Sequence, residues 1–97
     1  MTHDNSMSVY ERMSVELMSA MSSIWANPRY RSEKKKLWRA VESWKEISSR
    51  YVLDAKDDYE KNVLLAFMNA VTYHIYEMPF ERAVEFINNV IKTLKEV

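Results

Sequence analysis

No glycine occurs anywhere in this chain of 97 residues, although average usage of about 7% would supply roughly seven in that length. The absence removes the loops that cradle phosphates with bare backbone, both the P-loop and the dinucleotide-binding turn. It also removes the usual residue for tight hairpin turns, which need positive φ. With only two prolines besides, the chain reads as a set of helices joined by short turns.

A chain this long supports one domain, burying roughly 60 to 70% of the surface that its unfolded form exposes. Apolar residues make up 47% and charged residues 29%, values of an ordinary globular chain and far from the signature of disorder. Cysteine is absent, which excludes disulfides and thiolate metal sites. The opening "MTHDNSMSVYERM" has neither the basic region nor the continuous apolar stretch of a secretory signal, and no run reaches the length of about 18 apolar residues that suggests a membrane span. A cytoplasmic protein with no membrane association is expected.

Helical periodicity organises the rest. Residues 1–7 are expected to form a flexible tail, and residues 8–97 a single bundle domain with helices over about 9–26, 29–52, 55–77 and 79–95. Ser8 followed three residues later by Glu11 is a capping box. Beyond it Tyr10, Met13, Leu17, Ala20, Met21 and Ile24 share one face. Asn27-Pro28 ends that helix and starts the next, in which Tyr30, Lys34, Leu37, Val41, Trp44, Ser48 and Tyr51 recur at heptad-like spacing. The phase changes at Leu53-Asp54, where Asp54 is the expected N-cap and Asp57, Asp58 and Glu60 favour the positive end of a helix dipole. A single kinked helix across this point is the alternative. The third helix holds "VLLAFMNAV", apolar nearly all round and therefore expected to be central. Met78-Pro79 begins a fourth helix with a stripe of Phe80, Ala83, Val84, Ile87, Val90, Ile91 and Leu94. Short connections make neighbours antiparallel, so the fold class is all-α, a compact antiparallel four-helix bundle.

Net charge is zero, so electrostatic recognition has to come from local asymmetry. Residues 29–39, "RYRSEKKKLWR", hold six bases and one acid. On a wheel of about 100° per residue, Arg31, Lys35 and Arg39 form a stripe beside Trp38, with Lys34 and Lys45 nearer the core and Arg29 at the start. Cations around an aromatic face suit phosphate and base stacking; an acidic protein surface is a further alternative. The competing reading is a solvated helix face over which lysines snorkel. Crowding bases at a helix start opposes the dipole by some tenths of a kcal/mol. Val15, Met18, Trp38, Leu65, Tyr76 and Phe86 lie off the core faces, and Tyr76 and Phe86 are the expected apolar contact residues, since exposed apolar patches mark interfaces.

No residue set points to catalysis, a metal or a cofactor. The run from Asp54 to Glu60 lacks the spacing and glycine of a calcium loop. His74, among Val71, Ile75 and Met78, is expected to be a buried, hydrogen-bonded histidine. The expected function is accordingly non-enzymatic: an accessory or regulatory protein that docks onto a protein partner, as a small subunit or inhibitor of a larger assembly, or onto itself as a dimer. The alternative is nucleic-acid binding through the basic flank of helix 2, residues 29–45. A remote third reading has Arg12, Arg29 or Arg31 gripping an anionic metabolite as part of a small helical enzyme.

Overall fold

Capping and proline set where the helices begin. In the computed structural model, which describes residues 8–27, 29, 33–53 and 57–97, α1 spans Val9–Ala26, α2 Lys34–Val52, α3 Asp58–Glu77 and α4 Phe80–Glu96. The expected tail, together with Tyr30, Arg31 and Asp54, lies outside the described residues. The capping box forms as expected: the Glu11 backbone N–H donates to the Ser8 hydroxyl at 3.1 Å, and the Ser8 N–H donates to the Glu11 carboxylate at 3.4 Å. The N-cap of α3 is not the expected Asp54 but Asp57, three residues later, because the Asp57 carboxylate accepts the Glu60 N–H at 2.8 Å, so the helix begins at Asp58 instead of about residue 55. Pro79 occupies the N-cap of α4, one position before its expected place.

The second helix starts five residues later than expected, at Lys34. The Asn27 side-chain oxygen does accept the Arg29 N–H at 3.0 Å, as an N-cap would, yet the regular helix begins only at Lys34, where Glu33 is the N-cap and makes no side-chain cap bond.

The four helices form an all-α antiparallel bundle. Contacts between chain-distant residues fix the directions. Tyr10 at the start of α1 donates to Glu60 at the start of α3 (3.3 Å), whereas Tyr51 at the end of α2 donates to Glu16 near the start of α1 (3.1 Å). The radius of gyration is 13.5 Å, the value of a compact domain of about 100 residues. Among the described residues no helix is long and apolar enough to cross a membrane.

The core is one cluster, drawn from Met13, Leu17, Met21 and Ile24 of α1, Leu37, Val41, Trp44 and Val52 of α2, Leu64, Met68, Val71 and Ile75 of α3, and five residues of α4 from Ala83 to Leu94. Trp44 is its largest member, fully buried, with its indole N–H donating to the Met13 carbonyl at 2.9 Å. The apolar run does not make α3 the central helix: α3 packs mainly on α2 and little on α4, whereas α1 packs closely against both α2 and α4. Val63 is 45% exposed, and Ala66 and Ala70 also face outward. The alanines of that run are small, so its outer side gives little area to bury.

Two polar details have measurable consequences. Ser14, Ser49 and Thr72 donate their hydroxyls to carbonyls three or four residues back, but the fully buried Ser48 hydroxyl has no partner among the described residues. An unpaired buried hydroxyl costs about 1 to 3 kcal/mol. Ser48→Ala is therefore expected to raise stability by about 1 kcal/mol and the melting temperature by roughly 4 to 8 °C, read by circular dichroism.

Burial pushes the Tyr10 phenol above its ordinary value of 10.0, and the Glu60 carboxylate acts in the same direction by charge and by accepting its hydrogen bond. Folding thus favours the protonated phenol. Its contribution is present below the ordinary value and is lost as pH rises through the raised one. In urea titrations, the gap between wild type and Tyr10→Phe should narrow as pH climbs above 10.

Candidate docking groove between the second and third helices

The bases at the start of α2 oppose their own helix dipole, and the antiparallel arrangement supplies the compensation. The start of α2 lies beside the end of α3, and Lys34 donates its amine to the Tyr76 carbonyl in the last turn of α3 at 2.6 Å. That carbonyl is among the four that a helix end leaves without an internal partner, at the negative end of the dipole. On the other flank, Lys36 and Arg39 line a cleft with Ala20, Ser23 and Ile24 near the end of α1, a helix with no base in its last turn. Bases badly placed for their own helix are well placed for two neighbours.

The expected stripe is therefore divided. Arg39 opens on the α1 side. Lys34, Lys35, Trp38 and Lys45 open on the α3 side, along a groove of two adjoining clefts that share Trp38 and Tyr76 and are completed by Asn69, Thr72 and Tyr73. Trp38 meets Tyr76 edge to face, with centroids 6.4 Å apart and planes at 61°, within the favoured range for aromatic pairs. These rings are far from buried: Trp38 is 36% exposed, Tyr73 62% and Tyr76 67%. Lys45 pairs with Glu42 at 3.8 Å, a part-exposed contact worth under about 1 kcal/mol. Lys35 has no partner among the described residues.

The remaining expected residues fall elsewhere. Arg29 is exposed just beyond α1. Phe86 is half-buried against the core and touches the His74 ring edge-on at 5.9 Å, on the α3/α4 side. His74 itself is exposed, contrary to expectation. The buried face of α3 runs through Val71, Thr72 and Ile75, which turns position 74 outward, and its contacts are the rings of Tyr73 and Phe86. Of the arginines considered for an anionic metabolite, Arg31 lies outside the described residues, and Arg12 and Arg29 are not gathered. Arg12 lies over the Tyr51 ring at 5.0 Å, and Arg29 is a helix length away, roughly 25 Å at 1.5 Å per residue.

Sequence reasoning missed Tyr73. It stands four residues from Asn69 and three from Tyr76, the spacing that makes a helix face, and that was its only signal. Among the described residues no group of three or more His, Asp or Glu side chains is placed to hold a metal ion. Comparison with known protein families, curated proteins and solved structures finds no match to this chain.

Proposed function

We propose that this chain is a non-enzymatic accessory or regulatory protein that acts by docking onto a protein partner through the α2/α3 groove. The observation that carries the reading is the trio Trp38, Tyr73 and Tyr76, held exposed on two packed helices. Large aromatic side chains on rigid elements supply contact area at low entropic cost, and Trp and Tyr dominate binding hot spots. A contiguous exposed patch of large apolar rings supports an interaction site where scattered single ones would not. A second reading, single-stranded nucleic acid, is favoured by Lys35 beside Trp38, since a cation and a stacking face are its two requirements.

Site-specific photo-crosslinking in the native host separates these readings. A crosslinker at Tyr73 is expected to give a discrete protein adduct that Trp38→Ala abolishes, while one at exposed Asn89 on α4 gives none. Adducts to nucleic acid at Tyr73 would establish the second reading. Identical patterns at both positions would refute docking through this groove.

A further inference from the structure

The groove's charge narrows the partner. Among the described residues it is lined by three lysines and no carboxylate. Lys45 is balanced by Glu42 at 3.8 Å, Glu77 beside the groove accepts from the Tyr73 hydroxyl at 3.4 Å, and Lys34, which donates to a neutral carbonyl, and Lys35 keep their positive charge. From Lys34 to Lys45 the groove follows α2 for roughly 16 Å at 1.5 Å per residue, about three helical turns. An extended apolar floor between two helices is the shape that receives the apolar face of a third, read through side chains at i, i+3 or i+4 and i+7.

We propose that this groove takes an acidic amphipathic helical segment of a partner protein. The segment's apolar side chains sit on Trp38, Tyr73 and Tyr76, and its carboxylates face Lys35. This rests on the docking reading and specifies its chemistry. Nucleic acid fits less well, because tracking a phosphate backbone takes several available cations. Lys34 is committed to Tyr76, Lys45 to Glu42, and Arg39 opens on the opposite flank of α2. A second copy of this chain also fits less well. Its acidic segment at the start of α3 is occupied: Asp57 caps the helix, Asp58 pairs with Lys61 at 3.6 Å, and Glu60 accepts from Tyr10.

The test is selection of a displayed library of random helical peptides on the intact chain, with counter-selection on Trp38→Ala once its melting curve is shown to match wild type. If that variant does not fold, Tyr76→Ala, at a more exposed position, replaces it. Enriched peptides are expected to be net negative, with apolar residues at i, i+3 or i+4 and i+7. Against one such synthetic peptide, loss of the groove aromatic should weaken binding roughly thirtyfold. Lys35→Glu should weaken it about tenfold, and Lys92→Glu on α4 should leave it unchanged. Enrichment of neutral or basic peptides overturns the inference, as does tighter, salt-sensitive binding of an oligothymidine or a dimer that Tyr73→Ala dissolves. If Tyr73 still crosslinks to a protein while no acidic preference is found, docking stands and the acidic partner falls. If neither is seen, both fall.

Discussion

Deleting residues 79–97 is expected to abolish cooperative folding of the remainder. That segment places Ala83, Ile87, Val90, Ile91 and Leu94 in the core. The four larger side chains contribute about 1.5 to 3 kcal/mol each on burial, roughly 6 to 12 in all. A domain of this size has only about 5 to 15 kcal/mol in total. The loss also uncovers α1, against which α4 packs. The truncated chain should keep helical circular dichroism, lose its sharp thermal transition and bind an apolar dye, the behaviour of a molten globule. A sharp transition near the wild-type temperature would show that α1, α2 and α3 hold a sufficient core without it.

The largest effect expected from a single substitution is that of Trp44→Ala. Full burial and the bond to the Met13 carbonyl put it in the class that costs about 3 to 5 kcal/mol, or roughly 12 to 40 °C in melting temperature for a domain this small. Trp44→Phe separates the two contributions. It keeps most of the ring and leaves the Met13 carbonyl within the α1 ladder, so the lost hydrogen bond should cost only about 1 kcal/mol. Equal losses in the two variants would mean that cavity volume is not the dominant cost. Denaturant melts with the exposed Trp38→Ala as reference make the comparison.

The architecture was legible in the sequence because each helix carries its own punctuation and a periodic stripe. Ser8 with Glu11, the acids before α3 and Pro79 all act locally, and local rules survive into the folded chain. The start of α2 was misplaced because Asn27 and Pro28 carry the local marks of a helix start, and Asn27 does accept the Arg29 N–H. Marks that permit a helix do not oblige it to propagate, and the regular helix begins at Lys34. The basic stripe was placed only as a direction on a wheel, and a wheel does not say which helix lies on which side. Only packing divides Lys35 from Arg39 and brings Tyr73 and Tyr76 beside Trp38. His74 and the apolar run of α3 failed for the same reason, since apolar neighbours along the chain are not neighbours in space.

The three tryptophans occupy three environments: Trp44 is sealed in the core, Trp38 sits in the groove, and Trp25 is exposed near the end of α1. Their emissions should differ accordingly. A ligand settling between α2 and α3 would shift Trp38 toward the blue and shield it from iodide, while leaving Trp44 unquenched throughout. The chain thus carries an intrinsic optical reporter for occupancy of its groove and a second for integrity of its fold, with no label attached.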